Sequence, residues 1–152
     1  MNSYFKATKI IREILTANPD VATVIHGKTN DRDLYKMNLF PLAHINPINA
    51  DFSSSQLNTF VFEIAALEIR EISKNNEIED KFYGNDNEVD NLTKCHSILN
   101  RLITKLRLLE NDDLELTSVT PATPLLLTEK NLLDGWVIQL TVTIPNNIIK
   151  VC

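Results

Sequence analysis

The chain has 152 residues, of which 43% are hydrophobic and 23% are charged, a composition typical of one globular domain. Its formal net charge of -5 and its pI near 5.2 argue against a surface built to neutralise nucleic-acid phosphates. Two cysteines, Cys95 and Cys152, are too few for a disulfide framework, and the lack of any 18-residue apolar run argues against a membrane-spanning helix.

The first predicted element is a helix over residues 3–17, whose apolar side chains recur at helical spacing. Asn2 or Ser3 is placed to cap its N-terminus, and Pro19 disfavours helical backbone at the residue before it. The β-branched run Val21–His26 then predicts a strand. Residues 28–33 are polar and predict a loop.

Residues 34–72 predict further strands with a turn between them. The alternation over 34–40 is weak, whereas Leu42–Ile45 predicts a short strand that begins at Pro41. The Pro, Asn, Asp and Ser residues over 47–55 predict a turn. Residues 59–72 predict the longest strand, and because both of its faces are largely apolar we expect it to lie at the centre of a sheet. Its two faces are Phe60, Phe62, Ile64 and Ala66 on one side, and Val61, Ala65, Leu67 and Ile69 on the other.

Residues 74–91 differ in composition from the rest of the chain, with six acidic and two basic residues. They predict a mobile acidic loop that runs into the N-terminus of a second helix, where Asp and Glu complement the helix dipole. Apolar residues at spacings of three and four predict that this helix is amphipathic, extends over about 88–109 and packs on the sheet.

The C-terminal part predicts three strands. Leu114–Thr120 and Leu125–Thr128 are short runs separated by prolines, and Asp134–Gly135 predicts a turn before the last strand. That strand alternates strictly until Pro145, with Trp136, Ile138, Leu140, Val142 and Ile144 on one face and Val137, Gln139, Thr141 and Thr143 on the other. Such alternation is typical of a half-buried strand in an antiparallel sheet. The sequence therefore predicts a single α+β domain over residues 1–152, in which an antiparallel or mixed sheet is packed by two amphipathic helices.

No arrangement of residues in the sequence indicates an active site, a metal site or a cofactor. The three histidines, His26, His44 and His96, are far apart, and no His and Cys residues have the spacing of a zinc site. Cys95 falls in the apolar stripe of the second helix, which favours a buried free thiol over a nucleophile. We therefore expect no enzymatic activity, although a small enzyme that pairs Cys95 with His26 or His44 is an alternative.

Several segments resemble virion proteins of tailed phages with Bacteroidetes hosts, including crAss-like phages. The resemblance rests on the opening helix, the strand Val21–Gly27 and the segment Asp33–Ile45, which contains the distinctive run Leu39-Phe40-Pro41-Leu42-Ala43-His44-Ile45. The long strand, the helix around Cys95–Leu99 and the closing run Gly135–Ile138 fit the same group. The order helix, strands, helix, strand is also similar to that of tail terminator and tail-completion proteins.

The resemblance implies a structural virion protein of the tail or neck, present in the host cytoplasm during assembly and without catalytic residues or cofactors. Its copies would form a homo-oligomeric ring, with six subunits expected and twelve as the alternative, that terminates the tail tube or joins it to the head. The implied neighbours are portal, adaptor or tail-tube proteins. DNA would only pass through the lumen, and no membrane is involved.

On this hypothesis the long strand and the acidic segments supply contacts between subunits or rings. The expected contact residues are Phe60, Phe62, Leu67 and Ile69 of the strand, with Asp31, Asp33, Glu79 and Asp80 of the polar segments. Deleting residues 75–88 is expected to leave the fold intact and to impair docking. The alternative function is a standalone adaptor or regulatory domain that binds a protein partner through a sheet edge.

Overall fold

The computed structural model describes residues 2–27, 40–71, 77–79, 81–109, 114–128 and 132–146. The predicted loop over 28–33 and all but Phe40 of the weak strand predicted over 34–40 lie outside these ranges. Within them, the elements in chain order are α1 (Ser3–Ala17), β1 (Thr23–His26), β2 (Leu42–Asp51), β3 (Leu57–Ile69), β4 (Glu77–Glu79), β5 (Phe82–Gly84), α2 (Asp86–Leu108), β6 (Glu115–Val119), β7 (Thr123–Thr128) and β8 (Leu133–Pro145).

Six of the strands form one mixed sheet in the order β1-β2-β3-β8-β6, and β7 pairs with β8 beside β6. β1 runs parallel to β2, whereas the other neighbours are antiparallel. β3 lies between β2 and β8, as its two apolar faces predicted, and it pairs with β8 from Leu57↔Pro145 to Ile69↔Leu133. The predicted α+β fold, a mixed sheet packed by two helices, is confirmed.

Both helices pack on one face of the sheet and enclose the main core. This core combines one stripe of each helix with alternate residues of the central strands, because only those residues point toward the helices. Its members include Ala7, Ile11 and Leu15 of α1, Cys95, Ile98, Leu102 and Leu106 of α2, and Phe62, Ile64, Ile138, Leu140, Val142 and Ile144 of the sheet. The alternation predicted for β8 is therefore confirmed. A second, smaller cluster on the opposite face contains Phe40, Leu42, Ala65, Leu67 and Leu133.

An asparagine caps each helix. Asn2 Oδ1 accepts the backbone N–H of Tyr4 at 2.8 Å, and Asn85 Oδ1 accepts those of Asn87 and Glu88 at 2.9 and 3.2 Å. These bonds satisfy N–H groups that have no partner within the helix, and they fix where each helix begins. Neither α1 nor α2, the helices of the described residues, has the length and apolarity needed to cross a bilayer.

β2 extends farther than the sequence predicts. It continues from Leu42 through Pro47 to Asp51, where a turn was expected. The pairing of β1 with β2 ends at Ile45, and the register of β2 against β3 shifts between Pro47 and Asn49. A proline is tolerated at such an edge because no neighbouring strand needs its missing N–H.

Two other boundaries differ from the prediction. Asp134 and Gly135 belong to β8 rather than to a turn before it. A Cβ atom at Gly135 would lie 1.9 Å from the carbonyl oxygen of Ala66 on β3, so this glycine allows the two central strands to approach. Part of the predicted acidic loop over 74–91 forms the antiparallel pair β4–β5, and α2 begins at Asp86.

Candidate functional site

The contact residues predicted on β3 lie inside the protein. Phe62 and Leu67 are fully buried and Phe60 is only 5% exposed, the two phenylalanines in the main core and Leu67 in the second cluster. Ile69 is half-buried and packs against the second cluster. Because intrachain packing covers Phe60, Phe62 and Leu67, these side chains offer little or no surface to a neighbouring subunit in this conformation.

The acidic residues proposed as contacts are mostly outside the described part of the chain. Asp31, Asp33 and Asp80 lie outside it, and Glu79 lies in β4 where only the backbone is described, so their role stays a prediction. The expected effect of deleting residues 75–88 changes, however. That deletion would remove the helix cap Asn85, and we therefore expect it to disturb the fold as well as any docking.

The strongest candidate for an interaction surface is the turn between β2 and β3, and we call residues 48–57 the hairpin end. Three large apolar side chains are exposed here: Phe52 at 82%, Leu57 at 46% and Ile48 at 42%. Single exposed apolar residues are ordinary, but three of them within ten residues, on a turn and the strand ends that flank it, make this segment a candidate interaction surface. The sequence analysis did not predict this site. The pattern that indicates it is a single aromatic residue, Phe52, between Asp51 and three serines in a segment predicted to be a turn.

Hydrogen bonds hold the hairpin end in one conformation. Asp51 Oδ1 accepts the backbone N–H of Ser53 at 2.8 Å, which also keeps the pKa of this carboxyl below its usual value. Ser54 Oγ accepts the backbone N–H of Gln56 at 3.2 Å, and the N–H of Asn146 donates to the Gln56 carbonyl at 2.8 Å. A turn already ordered in this way loses little conformational entropy when it binds a partner.

The N-terminus of α1 lies beside the hairpin end. Asn58 Nδ2 donates to Ser3 Oγ at 2.5 Å, and the ring of Tyr4 packs edge-on against Phe60 and stacks on Phe62. A depression of about 380 Å³ separates the two elements, with Tyr4, Phe52 and Phe60 among its lining residues. The base of the hairpin end is thus tied to the main core while Phe52 projects from it.

A second concave surface lies between α1 and β1, and we call it the α1–β1 cleft. Its volume is about 390 Å³, and its described lining residues are Tyr4, Phe5, Thr8, Arg12, Val24, Ile25, His26 and Ile45. Tyr4 Oη and His26 Nε2 lie 2.7 Å apart and form a hydrogen bond. Thr8 Oγ1 is buried without a hydrogen-bond partner among the described residues. The cleft is therefore mainly apolar, with a few polar groups in its walls.

The sheet edges that β1, β6 and β7 form in the described chain are poor sites for adding a strand. β1 is only four residues long, and β6 and β7 each have a register shift in their pairing with β8. Pro121 lies between β6 and β7, and Pro124 lies within β7. Short strands, irregular pairing and edge prolines all hinder pairing with a further chain. At these edges the geometry disfavours the adaptor alternative in which a sheet edge binds the partner, whereas β2 has no described strand on its outer side from Asn46 to Asp51.

A buried charge cluster joins β3, β8 and α2, and sequence analysis did not predict it. Arg70 Nε and Nη2 donate to Asp134 Oδ2 and Oδ1 at 2.5 and 2.9 Å, and Arg70 Nη2 also donates to Glu88 Oε2 at 2.6 Å. Asn91 Nδ2 donates to the Ile69 carbonyl at 3.1 Å. The Asp134 carboxylate raises the pKa of Arg70, so the guanidinium stays charged. We assign this cluster a structural role, since its charged groups are used in mutual pairing.

Cys95 does not fit the alternative of a thiol enzyme. The side chain is fully buried, and Sγ donates to the carbonyl oxygen of Asp134 at 3.8 Å. Burial raises the pKa of the Cys95 thiol to about 12. Because the thiolate is the nucleophilic form, a thiol that stays protonated at neutral pH is a poor nucleophile.

No model of a protein family matches this chain, and a search of curated proteins finds no match. Its function is therefore inferred from its surfaces and from the segments quoted above.

Proposed function

We propose that this chain is a structural virion protein of a tailed phage, and that its copies form a ring that terminates the tail tube or joins it to the head. The resemblance of the run 39–45 and of the closing strand to such virion proteins supports this proposal. An α+β subunit with two helices on a mixed sheet is also consistent with the tail terminator fold. The localisation that follows is the tail or neck of the virion.

The observation that carries the proposal is the hairpin end. Phe52 is 82% exposed although the turn that holds it is ordered by hydrogen bonds. Fully burying a side chain of this size contributes about 1.5–3 kcal/mol relative to leaving it exposed. A subunit of an assembly gains this free energy at each contact, whereas an isolated domain gains nothing from an exposed phenyl ring.

The charge of the chain is consistent with a channel for DNA. Each subunit carries a formal net charge of -5, so a ring of subunits is strongly acidic as a whole. A negative lumen repels the phosphate backbone, and DNA would pass without adhering to the wall.

Light scattering of the purified chain over a range of concentrations, followed by negative-stain imaging, tests the proposal. We expect closed rings of six subunits, or of twelve, with a central channel. A dimer that does not grow with concentration would contradict it, since a two-fold contact uses the same patch on both subunits and closes no larger ring. A chain that remains monomeric throughout would favour the adaptor alternative.

A further inference from the structure

We propose that the hairpin end of one subunit docks in the α1–β1 cleft of a second copy of this chain, with Phe52 as the inserted side chain. This inference rests on the proposed function, because it names the contact that would close the ring. Three features support this contact: the shape of the two surfaces, their charges and the different residues that form them.

The cleft can hold an aromatic ring. Its volume of about 390 Å³ exceeds the space that one phenyl group fills, and apolar side chains make up much of its wall. One of these is Phe5, which is itself 51% exposed. Aromatic rings pack favourably edge-to-face or offset, so Phe5 is a suitable neighbour for an inserted Phe52.

The two surfaces carry opposite charges beside their apolar groups. Asp51 precedes Phe52 and is exposed, and its hydrogen bond from Ser53 favours the ionised carboxylate. Arg12 is exposed at the cleft and forms no ion pair with any residue that the structure describes. A hairpin end seated in the cleft therefore brings an anion toward a free cation, which would fix the direction of insertion.

The two surfaces are made of different residues, since none of residues 48–57 is among the described residues that line the cleft. Of the described residues that line the depression beside the hairpin end and those that line the cleft, Tyr4 alone is common to both. A contact between two different patches is head-to-tail, and each subunit then offers its hairpin end to one neighbour and its cleft to another. Such contacts build a ring when the rotation between subunits closes.

The first test compares Phe52→Ser with Leu108→Ser by light scattering across a concentration series. Leu108 is the matched control, because it is 78% exposed at the end of α2 and belongs to neither surface. Phe52→Ser should weaken association at least about tenfold, which corresponds to about 1.4 kcal/mol, whereas Leu108→Ser should change it less than about twofold. At a concentration low enough for the wild type to be monomeric, thermal unfolding of both variants should match that of the wild type, since neither side chain is in the core.

The second test reverses the charges. Asp51→Arg and Arg12→Asp should each weaken assembly, because each places like charges at the contact. Asp51→Arg also removes the hydrogen bond from Ser53, so recovery on mixing is the result that identifies the charge contact. When the two variants are mixed, every contact between unlike subunits again joins opposite charges. The mixture should therefore recover assemblies with alternating subunits and an even subunit number.

The outcomes separate this contact from the proposed function. Rings that form equally well with Phe52→Ser would overturn the contact and leave the ring intact. Loss of a small open assembly with Phe52→Ser, without rings in the wild type, would support the contact and contradict the ring. A wild type that is monomeric at every concentration, or variants that do not rescue each other on mixing, would overturn the contact as proposed.

Discussion

Replacing Asp134 by asparagine should destabilise the protein strongly, because Arg70 would stay buried without its main counter-charge. Arg70 is 8% exposed and Asp134 is fully buried, and two bonds of 2.5 and 2.9 Å join them. Removing one partner of a buried ion pair costs about 3–5 kcal/mol. Glu88, whose side chain is 33% exposed, still lies 2.6 Å from Arg70 and compensates part of its charge. We therefore expect Asp134→Asn to lower the free energy of unfolding by an amount near the lower end of that range, about 3 kcal/mol.

Urea unfolding measures this loss, and Trp136 is a suitable probe. It is the one tryptophan of the chain, and its Nε1–H donates to the Leu92 carbonyl at 2.9 Å, so its fluorescence reports the contact between β8 and α2. For a domain of this size, about 3 kcal/mol corresponds to a melting temperature lower by roughly 6–12 °C. Lys9→Met is the control, because the Lys9–Glu13 pair is exposed and should contribute less than about 0.5 kcal/mol.

A double variant separates the charge from the packing. Arg70→Met with Asp134→Leu removes both partners, and it should be more stable than Asp134→Asn alone because no guanidinium is left without its partner. The reasoning would be refuted if Asp134→Asn cost less than about 1 kcal/mol, close to the effect of the exposed control.

Three further predictions concern buried positions. Gly135→Ala should lower the free energy of unfolding by about 3 kcal/mol or more, since the added Cβ would collide with the Ala66 carbonyl. An unchanged melting temperature would contradict this close approach of the two strands. Burial raises the pKa of Cys95 to about 12, so the unfolded chain loses this proton first as the pH rises. The contribution of the Cys95 thiol to the free energy of unfolding should be intact below about pH 9 and should decline toward pH 12. In urea unfolding between about pH 8 and pH 11, the free energy of unfolding of Cys95→Ala should therefore fall less steeply with pH than that of the wild type. Thr8→Val should raise the free energy of unfolding by up to about 1 kcal/mol, because it removes a buried hydroxyl without a partner, and a clear loss of stability would reveal a bond to Oγ1.

The fold could be predicted where local pattern and tertiary structure agree. The apolar spacing of α1 and the capping residue before it predicted a helix over residues 3–17, which are its observed limits. The alternation of β8 predicted which of its residues enter the main core. The prediction was wrong at Asp134–Gly135, because this dipeptide is a common turn signal. What places it inside a strand is Arg70, 64 positions away in sequence, and the close approach of Ala66.

The candidate site could be predicted less well. The apolar residues of β3 predict a contact surface, since a strand that is apolar on both faces needs cover on both sides. The sequence does not show that α1 and α2 cover Phe62, or that Phe40 and Leu133 lie with Leu67 on the opposite face. Phe52 was overlooked because its polar neighbours predict a turn, and exposure is a property of the folded chain.

The pairing of β3 with β8 has a consequence for how the chain folds during synthesis. The ribosome completes β3 long before it makes β8, which supplies one of the two neighbours of that strand. Until residues 133–145 emerge, the backbone N–H and C=O groups on the β8 side of β3 have no partner strand, and the two faces of β3 are apolar. Such an edge can pair with other chains. We therefore expect the domain to complete its folding after most of its residues have left the ribosome, at a rate limited by closure of this long loop.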